Sequence, residues 1–226
     1  MWSAVTLSLT LMVPSSTYDS ARARLEAERV ELGSEFRKAR TQVAKQKVIR
    51  RARVVLLESL TEEIVPAWLG TPWTMGGRSK IPKEGTIACG TFVGTVLHHS
   101  GFRLNRIRLG RLASEHIALS LTHNRNLRRY RNRPAQEVVD DVQRWGYGLY
   151  AVGLDTHAGL IFVNKAGKAR FIHSSFYGAG TVVDEPLAGD NPFDFSRYRV
   201  VAKLLDDTMM KKWLLGRRFV ARKGRG

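Results

Sequence analysis

The apolar residues of this chain change their period once. Up to residue 145 they recur at helical spacing, and from residue 148 they alternate in short runs separated by turns. Side chains share a face every three to four residues in a helix and every two in a strand. Helices first and antiparallel strands afterwards is an α+β layout. Leu25, Leu32, Phe36, Ala39, Val43, Ala52, Val55, Leu56, Leu60 and Ile64 mark either one long helix over 20–69 or two broken near Gly33. Residues 70–85, GTPWTMGGRSKIPKEG, are rich in turn formers and read as a loop. Helix resumes at Cys89, with Phe92, Val93, Val96 and Leu97 as its apolar stripe and Gly101 as its stop. Further helices are expected at 108–121 and 134–145, the latter opened by Pro134 and closed by Gly146. Strands are expected at 148–153, 157–163, 169–175, 181–185 and 198–203, and a last helix at 206–215.

With 226 residues there is room for one sizeable domain with additions. The content of 43% hydrophobic and 25% charged residues excludes intrinsic disorder, and no apolar run reaches the length of a membrane span. The formal charge of +17 is unevenly placed. Residues 103–133 hold nine Arg against one acid, and residues 208–226 hold seven Lys or Arg and no acid. Residues 134–207, by contrast, carry seven basic and ten acidic residues. The basic stretches therefore read as docking aids toward an anionic surface. The run RNLRRYRNR, residues 125–133, reads as an exposed linker, and nucleic-acid binding through it is the weaker reading. Residues 1–19 read either as a signal-like export segment or as a disordered N-terminus. A basic helical region over 20–65, a main domain over 66–221 and a flexible basic tail over 222–226 complete the organisation.

Cys89 is the single cysteine, which excludes an intrachain disulfide and a Cys-rich zinc site. It follows a glycine-containing loop and starts a helix, where unpaired N–H groups and the helix dipole are expected to lower a thiol pKa. His157 and His173 flank the turn at 164–168. A hairpin closed over those five residues pairs Val163 with Ala169, His157 with Ser175 and His173 with Gly159. The two imidazoles then become diagonal neighbours on one face. A thiol, a base and an orienting group are the elements of nucleophilic acyl transfer.

The segments GTPWTMGG, IACGTFVGTVLHHSGF, HAGLIFV and FIHSS resemble the NlpC family of papain-like cysteine peptidases. Members of that family typically read G-x-P-Y-x-x-G-G, D-C-S-G-F-V, H-V-G-I and F-I-H-A. The resemblance covers about residues 70–187. It implies a papain-like antiparallel sheet packed on helices, with a long N-terminal helix and a helical insertion added. It also implies Cys89 as nucleophile, His157 as base and His173 as the polar third member, with no metal or cofactor. Trp73, Gly76, Gly77 and Ser174 would line the oxyanion hole and substrate groove. The substrate would be an amide in a cell-wall (peptidoglycan) peptide, which points to an exported protein. Acyl transfer to a protein side chain, or deamidation of one, uses the same triad. A basic binding module on an inactive version of the fold is the reading from a different class. Ala88 stands where the family has Asp, Gly90 and Thr91 replace Ser-Gly, and Trp73 replaces a Tyr. His98, His99, His116 and His123 lack a matching partner set and read as packed or solvated residues. Asp140, Asp141, Asp206 and Asp207 read as solvated or capping charges, and Asn164, an alternative orienting group, falls in the turn.

Overall fold

A computed structural model describes residues 15–222. The signal-like reading of residues 1–19 falls on residues 1–14 outside that range, and on the first turn of the first helix within it. The basic tail after Arg222 also lies outside the described residues. The N-terminal helices are α1 (Ser15–Lys38) and α2 (Gln42–Ser59). They separate at Thr41, whose hydroxyl accepts the Ala44 N–H as an N-cap. Gly33 is no breaking point. It lies inside α1, where a Cβ would run into the Leu214 carbonyl, so its role is to let another helix approach closely. A π turn, Leu60–Ile64, leads into α3 (Val65–Trp68), whose Pro66 lacks an N–H.

After the loop come α4 (Cys89–His99), α5 (Arg106–Gly110) and α6 (Ser114–Leu121). Gly90 and Gly94 on α4 face the backbone of Gly110 and Arg106, with no room for a Cβ, so α5 rests directly on α4. Residues 125–133 are a correction: they are not a linker, because Leu127–Arg131 forms strand β1. Its charged residues lie along the edge of the sheet and are individually engaged. Arg128 stacks over Trp145 at 4.0 Å, Arg129 pairs with Glu115, and Arg131 lies over Tyr198. Arginines of this kind protect an edge strand from pairing with another chain.

Helix α7 (Ala135–Trp145) follows, then β2 (Gly148–Leu154), β3 (Ala158–Val163), β4 (Ala169–Ser174) and β5 (Val182–Pro186). The short α8 (Pro192–Phe195), β6 (Tyr198–Lys203) and α9 (Asp207–Leu214) complete the chain. The fold is α+β, with one six-stranded antiparallel sheet in the order β1-β6-β2-β3-β4-β5. Alternation along β2 assigns its two faces. Leu149 and Ala151 join Leu160, Ile172, Val200 and Ala202 in a core shared with α1, α2, α4, α6 and α9. Tyr150 and Val152 join Ile161, Phe171 and Val201 in a second core under Val138, Val139 and Val142 of α7. The N-terminal helices thus bury Leu25, Leu56 and Trp68 in the same core as the helix that begins at Cys89. Among the described residues no helix is long and apolar enough to cross a membrane.

The two basic stretches, distant in sequence, meet in space. The Phe219 N–H donates to the Arg103 carbonyl at 2.8 Å, and the Arg222 N–H to the Ser120 hydroxyl at 2.8 Å. Arg103, Arg218 and His98 line one concavity there, and Lys212 and Arg222 line another. This basic face lies at the C-terminal end of α4. Eleven residues of helix put it about 15 Å from Cys89.

Candidate active site

Two anchors seat the thiol. The segment before it is held by Gly77, whose carbonyl accepts the Ala88 N–H at 3.1 Å and where a Cβ would come within 2.9 Å of Ile87 backbone atoms. From the other side, the Ser174 hydroxyl donates to the Ile87 carbonyl at 2.7 Å. Ser174 is 0% exposed, so it braces the approach to Cys89 and does not line a groove as the resemblance implied. Gly76 adopts φ +81° in open space beside it, a turn position that any Cβ would strain. Ala88 is extended and provides no side-chain cap, which leaves the first N–H groups of α4 to the sulfur.

Cys89 is half-buried. Burial pushes its thiol above the ordinary value. Backbone hydrogen bonds from Ala158, Gly90 and Cys89 itself act in the opposite direction without overcoming it. The expectation of a lowered thiol pKa is corrected here, because desolvation outweighs the helix terminus. The Ala158 contact places the sulfur at the start of β3, next to His157 in the chain.

The hairpin has the register that its five-residue turn requires, with Val163 opposite Ala169 and Leu160 opposite Ile172. His157 and His173 consequently meet: His157 Nε2 lies 2.8 Å from His173 Nδ1. Gly159 makes room for this, since it lies across from His173 and a Cβ there would be 2.9 Å from that of His173. The His173 ring stacks on Phe171 at 3.9 Å. Both imidazoles are enclosed, His157 at 2% and His173 at 0% exposure. Burial lowers His157 to about 4 and His173, with the added influence of His157, to about 2. His157 Nδ1 is buried and has no hydrogen-bond partner among the described residues.

Glu185 is the member that sequence reasoning missed. Its Oε1 lies 2.9 Å from His173 Nε2. The signal was available in the expected strand 181–185: β5 pairs Val183 with His173, so Glu185, two residues on, shares the face of that histidine. Burial raises the Glu185 carboxyl, Arg170 opposes the shift, and Asp184 and Asp190 add to it.

The Trp73 loop closes on the same region. Its backbone N–H donates to Gly180 at 2.8 Å, and Pro72 bridges to Thr181. The Trp73 ring packs against Phe176 at 5.9 Å, and Phe176 against His157 at 5.3 Å. The buried Trp73 indole N–H has no partner among the described residues. Buried Arg106 ties the loop to α4 by donating to the carbonyls of Ser79 and Arg78 and to the Thr95 hydroxyl.

The remaining polar candidates are engaged elsewhere. His99 is packed in the core against Trp68 and lies 2.9 Å from the Tyr18 hydroxyl, while His98 is exposed with its ring 5.8 Å from that of His99. Asn164 accepts the N–H groups of Ala166 and Lys168 inside the turn. Asp206 caps α9 and Asp207 pairs with Arg53. Among the described residues no group of three or more His, Cys, Asp or Glu is arranged to hold a metal ion. Chemically, the site is a thiol that meets the backbone N–H of Ala158, the residue after an imidazole whose Nε2 is held by a second imidazole and, through it, a carboxylate. Compared with known proteins, the chain matches no family model, no curated protein and no solved structure.

Proposed function

We propose that the chain is a cysteine hydrolase of the papain-like, NlpC type that cleaves an amide bond in a cell-wall peptide. One observation carries the reading: the Cys89 sulfur receives the Ala158 N–H beside a histidine whose Nε2 is tied to His173 and whose Nδ1 has no partner. In the mechanism His157 Nδ1 takes the thiol proton as sulfur attacks the carbonyl carbon. The developing oxyanion is met by the Cys89 N–H and by a donor from the Trp73 loop, for which the unpartnered indole N–H is the candidate. The C–N bond breaks as His157 returns the proton to the leaving amine. Water, deprotonated by the same imidazole, then hydrolyses the thioester and regenerates the thiol. No step calls for a metal or cofactor. A wall substrate and an exported protein follow from the resemblance in residues 70–187.

The test is hydrolysis of soluble wall peptides together with labelling of the thiol. Cys89→Ala abolishes turnover, and mass spectrometry of a trapped acyl-enzyme places the acyl group on Cys89. His157→Ala slows iodoacetamide labelling of Cys89 at pH 7 by about 10²-fold, the usual contribution of a general base. Labelling at the rate of a free thiol and indifferent to His157 would overturn the assignment. Release of ammonia, or transfer to an added amine, would mark deamidation or acyl transfer by the same triad.

The basic face at the far end of α4 favours a second reading, a module for binding anionic surfaces. It gathers Arg103, Lys212, Arg218 and Arg222 around Phe219. Retention on anionic vesicles or wall polymer that weakens steeply with salt, in a Cys89→Ala protein, separates docking from catalysis.

A further inference from the structure

We propose that Glu185 is a positioning residue: by accepting the Nε2–H of His173 it dictates, through two imidazoles, which nitrogen of His157 is bare and free to take the Cys89 proton. The inference takes its consequence for reactivity from the hydrolase reading of the same site, while its geometry stands independently.

Each link allows one proton. An ionised carboxylate can only accept, so the 2.9 Å contact requires His173 to carry its hydrogen on Nε2. His173 is neutral in its buried setting, so its Nδ1 is bare and can only accept. The 2.8 Å contact then requires His157 Nε2 to be the donor. His157 is neutral as well, which leaves Nδ1 bare. This is the buried ring nitrogen without a partner, one residue from the N–H that reaches the Cys89 sulfur.

Remove the carboxylate and a second chain of equal hydrogen-bond count becomes available. His173 Nδ1–H would donate to His157 Nε2, and His157 would carry its hydrogen on Nδ1, with no lone pair for the thiol. The two arrangements differ only in which group terminates the chain. Lone His157–His173 contact therefore cannot select the productive form, and Glu185 can. A protonated Glu185 can itself donate to His173 Nε2 and reverse every hydrogen bond of the chain. The charged and titratable groups facing Glu185 are His173 and Arg170 from β4, Asp184 on its own strand and Asp190 from the following loop. Their sum with burial raises the carboxyl above its ordinary 4.5, whereas His157 takes a proton only at about 4. On acidification the chain reverses first, while both rings are still neutral.

The experiment uses the full chain labelled with nitrogen-15 in its histidines. Ring-nitrogen shifts and the pH profile of Cys89 alkylation by iodoacetamide are recorded for the wild type and Glu185→Gln. In the wild type at pH 7, His157 is expected to show a protonated Nε2 and a bare Nδ1. On acidification it should pass to the other neutral tautomer before it becomes a cation, and alkylation should fall with that change. Glu185→Gln should show both tautomers at pH 7, alkylate more slowly in proportion to the share of His157 that has lost its bare Nδ1, about twofold for equal populations, and lose the acid limb that tracked the carboxyl. An unchanged His157 tautomer and acid limb in Glu185→Gln would overturn the proposal. So would a wild-type His157 that goes straight from one neutral form to the cation, a result that needs no variant to fold. Failure of the hydrolase reading looks different, since wall peptides would stay intact while the tautomer shift persisted.

Discussion

Gly159→Ala strikes the point where the hairpin leaves room for the imidazole chain. A Cβ there would lie 2.6 Å from Phe171 Cε2, 2.9 Å from His173 Cβ and 3.0 Å from the Ile172 carbonyl oxygen. Comfortable contacts need about 3.5–4.0 Å, so relief of up to about 1 Å must come from somewhere. The Ile172 oxygen is backbone and the His173 Cβ is fixed to it. The Phe171 ring, which could swing, is fully buried and stacked on His173. The strands must therefore spread. Overpacking of this kind costs about 1–3 kcal/mol. For a chain of this length each kcal/mol moves Tm by about 2–4 °C, so a fall of about 2–12 °C is expected. Displacing His173 also stretches the 2.8 Å bond to His157 beyond about 3.2 Å, where it ceases to be a hydrogen bond. A misplacement of about 1 Å typically costs about 10²-fold in rate. Thermal melting and iodoacetamide labelling of Cys89 read the two effects separately. Gly167→Ala is the control, because it strains a φ of +79° in the same hairpin but meets nothing within 4 Å. It should lower Tm and leave labelling unchanged. Wild-type labelling in Gly159→Ala, or an equal loss in both variants, would refute the placement of His173.

Ser174→Ala removes the donor to the Ile87 carbonyl, and a loss of about 1–3 kcal/mol by denaturant titration is expected from the unpaired buried group. If Ser174 is a brace, KM for a wall peptide stays put while stability falls; a raised KM at full stability would return it to the groove. Acid should destabilise the fold through its buried neutral histidines. His157 at about 4 and His99 at about 3 sit below the ordinary 6.5, so the unfolded chain binds more protons on acidification. Their stabilising contribution is complete above pH 6.5 and declines as pH falls toward 4. At about 1.4 kcal/mol per unit, His157 alone accounts for about 3 kcal/mol by pH 4. Denaturation midpoints that stay level between pH 7 and 4.5 would contradict this.

What could be read from the residues, and what could not, divides along physical lines. The strands from residue 148 onward were legible to within a residue, because β2, β3, β4 and β6 each send residues into both cores and the edge strand β5 buries Val182 on one face while Glu185 is half-buried on the other. The meeting of His157 and His173 was legible because a five-residue turn leaves one register. Strand β1 was not, since at the sheet edge its arginines need no apolar alternation and charge there serves to block pairing. Gly33 looked like a break because glycine is a poor helix former, whereas its reason is the Leu214 carbonyl from a helix nearly two hundred residues away in the chain. The Ser174 brace depends on which loop crosses β4, and the position of Glu185 depends on the β4–β5 register. Both are long-range facts.

The thiol pKa is the most instructive of these reversals. A helix N-terminus alone argues for a resting thiolate, yet enclosure raises Cys89 and lowers His157 together, so the resting pair is a neutral thiol and a neutral imidazole. On the proposed hydrolase reading, attack requires the proton to move as the bond forms, and the three backbone N–H groups around the sulfur would matter most once charge appears there. That makes the direction of the His157 lone pair decisive: with a preformed ion pair the ring would already be doubly protonated and its tautomer immaterial. With a neutral pair, a single misplaced hydrogen removes the base. The basic residues around Phe219 lie at the other end of α4, whereas Asp184, Glu185 and Asp190, with Arg170 opposing them, lie beside the strands that carry the histidines.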